Sequence, residues 1–194
     1  MIIWINGAFG SGKTQTAYEL HRRMKHSYVY DPENVGCFIR KNVPQSAFKP
    51  DFQDYTMWRK FNFDMLCYIS ECCRGNIIVP MTIVNKRYYD EIIGALSKKY
   101  DVKHFILYAE KNTLLKRLAS RFEGRKSWAA RQIDRCVKAF DEDIEGYKII
   151  TDNMGINEVA EAIAKTAGIT LTEDKRSFLR KFWDRLIIKY KHIR

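Results

Sequence analysis

Residues 7 to 14 read G-A-F-G-S-G-K-T and meet the G-x-x-x-x-G-K-[ST] pattern at every fixed position. That spacing suits phosphate chemistry. Gly7, Gly10 and Gly12 allow backbone angles and close approach that a Cβ would block. Gly7, Ala8, Phe9, Gly10, Ser11 and Gly12 can therefore turn successive N–H groups toward phosphate oxygens. Lys13 is expected to reach the β- and γ-phosphates, and the Thr14 hydroxyl to ligate Mg²⁺. Phosphoryl transfer also needs a carboxylate at the attacking hydroxyl and cations over the transferring group. Asp31 is the candidate base and, directly or through water, a metal ligand; the alternative is a turn-forming Asp before Pro32, and Glu33 is the second choice. Arg117, Arg121 and Arg125 stand four residues apart. They read either as a lid that neutralises phosphoryl charge, with Arg117 toward the nucleotide, or as a solvated helix face with Lys116 and Lys126.

These groups need elements to hold them. Ile2, Ile3, Trp4 and Ile5 form an apolar run of the buried-strand type, and Ala17, Leu20 and Met24 follow at helical spacing, so the glycine-rich turn joins a strand to a helix. "SYVYD" at 27–31 reads as a second strand ended by Pro32, which puts Asp31 at the carboxyl edge of the sheet. "NIIVPMTIV" at 76–84, "VKHFILYA" at 102–109 and "YKIITDN" at 147–153 are further strands. Helices are expected at 86–100, at "TLLKRLASRF" capped by Asn112, from Trp128 to about Phe140, and at "NEVAEAIAKTAG" closed by Gly168. Strands alternating with helices imply a three-layer αβα fold of the P-loop nucleoside-triphosphate hydrolase and small-molecule kinase type, with a mainly parallel sheet. The expected division is a kinase-like domain over 1–172, with its lid at about 117–132, and a basic amphipathic helix over 173–194.

Composition bounds the class. The chain has 194 residues, enough for one α/β domain with a sizeable core, and its 46% hydrophobic and 29% charged residues are those of a globular protein. Cys37, Cys67, Cys72, Cys73 and Cys136 show no C-x-x-C pair, and reduced thiols of a cytoplasmic protein are expected. No secretory signal pattern and no apolar run of bilayer length is visible. The net charge is +11; residues 173–194 carry eight Lys or Arg against three Asp or Glu, close to half of that excess. No nucleic-acid-binding motif accompanies the charge, so anionic substrates and anionic lipid are the expected partners.

With one P-loop and no N-K-x-D base-recognition motif, the simplest reading is a small-molecule kinase using ATP and Mg²⁺. One feature departs from the common pattern. The strand that would normally end in a second Mg²⁺-side acid reads "IIVPMT", with no Asp or Glu until Asp90, which throws weight on Asp31 and leaves ATP binding without catalysis open.

The chain resembles the tunicamycin-resistance ATP-binding protein family through "MIIWINGAFGSGKTQTA", "SYVYDPE", "IIVPMTIV", "LLKRL", "EGRKSWAARQIDRC", "TDN" and "DRLIIKYKHIR". More loosely, "RFEGRKSWAARQ" and "ITDNMGINEVAEAI" are similar to the lid and last βα unit of chloramphenicol-type phosphotransferases. The resemblance implies ATP at Gly7 to Thr14, a catalytic carboxylate at Asp31, lid contacts from Arg121 and Arg125, and Gln132 at a matched position. It also implies resistance to tunicamycin, a uridine-containing antibiotic with a fatty acyl chain, by phosphorylation of a hydroxyl or by ATP-dependent sequestration.

Two stretches are compatible with such a ligand. Around "DYTMWRKFNF", Trp58 or Phe61 could stack a uracil while Arg59 meets an anion, or these aromatics could simply be core. In the tail, Phe178, Phe182, Leu186 and Tyr190 recur every four residues among many cations. That is the pattern of an interfacial helix lying on the inner face of the cell membrane, or of a last helix packed on the domain. On the interfacial reading, deleting residues 174–194 is expected to abolish vesicle binding and leave ATP affinity intact.

Overall fold

The computed structural model describes residues 1–120 and 127–191. Alternating strands and helices build a five-stranded sheet of order β2-β3-β1-β4-β5, parallel at every pairing. Its strands are β1 (Ile2–Gly7), β2 (Ser27–Val29), β3 (Asn76–Pro80), β4 (Val102–Tyr108) and β5 (Tyr147–Ile150). β1 is central because its residues are apolar on both faces, as a strand covered by helices on each side requires. Alternation sends Ile2 and Trp4 to one face and Ile3 and Ile5 to the other.

The helices are α1 (Lys13–Arg23), α2 (Glu33–Asn42), α3 (Thr56–Cys72), α4 (Lys86–Tyr89), α5 (Ala95–Ser97), α6 (Lys111–Ala119), α7 (Trp128–Glu142), α8 (Ile156–Ala167) and α9 (Phe178–Lys191). Trp58 and Leu66 of α3 pack with Ile92, Ile93 and Leu96 on the face of Trp4, and Ala17, Leu20, Val159 and Ile163 of α1 and α8 cover the face of Ile3. The result is the three-layer αβα arrangement that the alternation implied. α4 continues through a π-helical turn (Asp90–Gly94) into α5, so the single helix expected over 86–100 is a composite.

Two local expectations are corrected. α6 starts at Lys111 with Glu110 at its N-cap, whose N–H is accepted by Asp152 Oδ1 at 3.0 Å, so Asn112 lies inside the helix instead of capping it. β3 stops at Pro80 and residues 81–84 follow as a loop, with Met81 N–H still donating to the Ile5 carbonyl of β1 at 3.1 Å. Gly168 closes α8 as expected, at φ 69°, with Ile169 N–H returning to Ala164 O at 2.8 Å.

Candidate active site at the phosphate-binding loop

The loop between β1 and α1 has the shape its glycines permit. Gly7, Gly10 and Gly12 all have positive φ (148°, 84° and 96°). A Cβ on Gly7 would stand 2.7 Å from the Leu107 carbonyl oxygen and 2.6 Å from Ser11 Oγ, so only glycine fits the exit from β1. Gly12 is the N-cap of α1 and supplies no side-chain cap, which leaves the first-turn N–H groups directed out of the helix beside its positive dipole end. Lys13 Nζ arches back over the loop to the carbonyl oxygens of Gly7 and Ala8 at 3.0 and 3.1 Å. Phe9 packs edge-on against Trp128, ring centroids 5.0 Å apart, tying the loop to the start of α7.

The loop forms one wall of a cleft of about 280 Å³. Gly10, Ser11 and Gly12 face Arg117 at the end of α6, Thr151, Met154, Gly155 and Ile156 after β5, and Arg185 of α9. Arg117 is fixed there by both guanidinium ends, Nη1 donating to Thr151 Oγ1 at 3.0 Å and Nη2 to the Thr151 carbonyl. A cation held in one orientation beside a glycine-rich loop suits a planar or anionic ligand. Five buried side-chain polar atoms among the described residues make no hydrogen bond. Four of them, Ser11 Oγ, Gln15 Oε1, Thr16 Oγ1 and Arg185 Nε, belong to this loop, the helix it opens and the cleft wall. Of these, Ser11 Oγ and Arg185 Nε line the cleft, and because buried polar groups are ordinarily paired, both are placed to meet a polar ligand there.

Asp31 lies just past β2, on the same carboxyl edge of the sheet as the loop. Its Oδ1 accepts the Glu33 N–H at 3.0 Å, the turn-forming contact that was the alternative reading of this residue. That contact occupies one carboxylate oxygen in holding the turn and does not remove the group from the sheet edge. Both neighbours of Asp31 are pinned from below by α3: the Tyr30 hydroxyl donates to Asn62 Oδ1 at 2.7 Å, and the Trp58 indole N–H donates to the Pro32 carbonyl at 3.0 Å.

No protein-family model and no curated protein matches the chain. Among solved structures, the tunicamycin resistance protein of Deinococcus radiodurans matches with a TM-score of 0.76 and 36% identity over 89% of this chain and 98% of that one. The chain belongs to the tunicamycin resistance protein family. A sugar kinase from a Janibacter species (TM-score 0.61, 15% identity, 87% of this chain and 95% of that one) shares the fold. So does shikimate kinase from Bacteroides thetaiotaomicron (TM-score 0.60, 15% identity, 87% and 99%).

In this tunicamycin resistance family member Trp58 and Arg59 of α3 are scaffold, which corrects the expectation that Trp58 stacks a base while Arg59 meets an anion and bears out the core alternative for these two. Trp58 is fully buried, with its one donor spent on Pro32, so its ring offers no face to a ligand. Arg59 is also buried. It pairs with Glu91, donates to the Gln53 carbonyl and to Thr56 Oγ1, and lies 4.2 Å from the Tyr88 ring centre. These bonds hold the Glu91 carboxyl below its usual range and leave the guanidinium committed. Phe61 is half exposed. Arg121 and Arg125 lie outside the described residues. Gln132 is half-buried on α7.

Three supporting residues had no motif to reveal them. Asn6, fully buried before the loop, uses Oδ1 to accept the N–H groups of Gly7 and Ile83, each at 2.9 Å, and Nδ2 to donate to the Ile83 carbonyl at 2.8 Å. Thr82, past the end of β3, donates its hydroxyl to the Gly7 carbonyl at 2.8 Å. His104 on β4 meets Asn6 Nδ2 through Nε2 at 3.2 Å and the Glu145 carbonyl through Nδ1 at 2.7 Å. A carbonyl can only accept, so Nδ1 carries the proton and Nε2 is the acceptor; burial lowers the histidine to about 4 and keeps it neutral. The signal in the sequence for Asn6 and His104 was a polar residue at a buried position of a strand; Thr82, in the loop after β3, had none.

Proposed function

We propose that this protein binds ATP with Mg²⁺ at the phosphate-binding loop and transfers the γ-phosphoryl group to a hydroxyl of tunicamycin or a related nucleoside-like compound. The observation that carries the reading is the common edge shared by the loop after β1 and Asp31 after β2, with β3 between them. Two strand spacings are roughly 10 Å, room for a phosphoryl group and the hydroxyl that attacks it. The unpaired Ser11 hydroxyl on the cleft wall and the uncapped start of α1 fit a polyphosphate.

In this reading the acceptor oxygen forms a bond to phosphorus as the bond to the leaving β-phosphate oxygen breaks, ADP departs, and Asp31 receives the hydroxyl proton. Lys13 would neutralise the phosphates, Thr14 together with Asp31, directly or through water, would hold Mg²⁺, and Arg117 would fix the nucleotide in the cleft. Arg121 and Arg125 supply lid charge over the transferring group. The Deinococcus relative is a tunicamycin resistance protein, and the small kinases share its fold class, which supports both the substrate and the reaction type.

A second reading, ATP-dependent sequestration of the drug without modification, is favoured by Thr82 standing near the loop where a second carboxylate is common. α9 also supports an anionic membrane surface as partner and a peripheral place on the inner face of the cell membrane. Phe178, Leu179, Phe182, Trp183, Ile187 and Tyr190 are all at least half exposed, beside exposed Lys175 and Arg180. The experiment that separates the two readings is the mass of tunicamycin after incubation with the protein, Mg²⁺ and ATP.

A further inference from the structure

α9 is mounted with its charged side toward the domain and its apolar side outward. The connection from α8 is latched first. Arg176 Nη2 donates to Glu19 Oε2 of α1 at 2.6 Å, Nε to Asp174 Oδ1 at 2.9 Å and Nη1 to Asp184 Oδ2 at 2.6 Å. Lys181 and Arg22 also meet Asp174, at 3.1 and 3.3 Å. The side chains of Glu19 and Asp174 retain only 6% and 5% of their exposure, so this is an enclosed network and not a set of surface pairs.

From the latch a hydrogen-bonded chain runs to the cleft. Asp174 Oδ2 accepts from Asn157 Nδ2 at 2.9 Å, and Asn157 Oδ1 accepts from Arg185 Nη2 at 3.2 Å. Gln15, two residues past the P-loop lysine, donates its side-chain amide to the Arg185 carbonyl at 2.9 Å. Lys189 reaches the carbonyl of Ser120, another cleft residue. Arg185 itself lines the cleft opposite Gly10–Gly12, and its Nε is buried without a hydrogen bond among the described residues.

We propose that the C-terminal helix is part of the nucleotide site: Arg185 donates to the bound nucleotide's anionic groups, so docking of the tail and nucleotide binding strengthen each other. This rests on the reading of the cleft as a nucleotide site. It predicts the opposite of the expectation that the tail can be removed with ATP affinity intact, because Arg185 of the cleft wall comes from the tail. Coupling must be reciprocal, so bound nucleotide holds the tail against opening. The outward apolar face stays available for lipid while the inward face serves the cleft.

The test is titration calorimetry of ADP with Mg²⁺ against the full chain, Arg185→Ala, Arg185→Lys and Arg176→Ala, beside limited proteolysis of the 172–177 connection with and without ADP. Loss of charge-assisted hydrogen bonds should raise the ADP Kd about ten- to a hundred-fold in Arg185→Ala, with partial recovery in Arg185→Lys. Tail protection without ADP should be unchanged in Arg185→Ala, because the latch is intact, and added ADP should slow cleavage in the unaltered protein only. Arg176→Ala, remote from the cleft, should speed cleavage and weaken ADP binding together. An ADP Kd within twofold of the unaltered protein in Arg185→Ala would overturn the proposal. Failure of the unaltered protein to bind ADP would overturn it together with the nucleotide reading.

Discussion

Asn6 Nδ2 lies 3.2 Å from His104 Nε2, and the same asparagine accepts the Gly7 N–H, so the neutral imidazole of β4 holds the first residue of the phosphate loop through one intervening side chain. Burial depresses His104 from the ordinary value of 6.5 to about 4. The folded protein therefore binds fewer protons than the unfolded chain between these values. Stability from this site is fully present above about pH 6.5 and is lost as pH falls toward 4, at up to about 1.4 kcal/mol per pH unit and about 3 kcal/mol in all. Denaturant unfolding at pH 7, 6, 5 and 4.5 should show that slope, and His104→Gln should flatten it. Equal slopes in the two proteins would remove His104 as the cause. Asp174, held far below its usual range chiefly by Arg176, acts in a lower window: its contribution fades only as pH falls below about 3.8.

Gly7 is the loop position with least room. In Gly7→Ala the new methyl carbon would stand 2.7 Å from the Leu107 carbonyl oxygen, at a φ of 148° that L side chains avoid. A loss of about 1–3 kcal/mol of stability is expected, with ATP binding weakened at least tenfold because the loop must shift. Thermal unfolding and nucleotide titration on the same sample check this. An unaltered melting temperature together with unaltered affinity would contradict the loop geometry.

Asp31→Asn should lower turnover on the acceptor by about 10²-fold or more while ATP binding survives, if the carboxylate orients and deprotonates the hydroxyl. The Glu33 N–H can still be accepted by the amide oxygen, so the turn is conserved and the change isolates the charge. Turnover unchanged in Asp31→Asn would move the role elsewhere, with Glu33 the next residue to alter.

Much of the site was legible because its residues lie in one continuous motif. G-A-F-G-S-G-K-T fixes strand, turn and helix at once, and Asp31 sits at the end of a recognisable strand. What could not be read depends on contacts across the chain. Trp58 and Arg59 have the residue types of a nucleobase site, and only the fold turns them inward, onto Pro32 and Glu91, 26 and 32 residues away in sequence. Arg185 lay within a charge run, where nothing local distinguishes it from Arg180; its bond partner Gln15 is 170 residues away. The tail's periodicity was visible, but its orientation was not, since an apolar stripe ordinarily faces the core.

That outward stripe makes its own prediction. Trp183 and Ile187 are 60% and 50% exposed, and neither side chain enters the latch or the cleft. Replacing both, Trp183→Ser with Ile187→Ser, should cut binding to vesicles containing anionic lipid by tenfold or more, with ADP affinity and melting temperature nearly unchanged. Sedimentation with vesicles of mixed neutral and anionic phospholipid reads the effect. Equal sedimentation of the altered and unaltered proteins would show that α9 does not use this face on lipid.

The central claim is phosphoryl transfer to the drug, and mass spectrometry of tunicamycin incubated with the purified full chain, Mg²⁺ and ATP tests it most directly. Lys13→Ala, which removes the ammonium group that spans the loop carbonyls, is the control. The expected result is a gain of one phosphoryl group that is absent from the control. An unchanged drug mass, with tunicamycin still retained by the protein, would contradict the kinase reading and leave sequestration as the function.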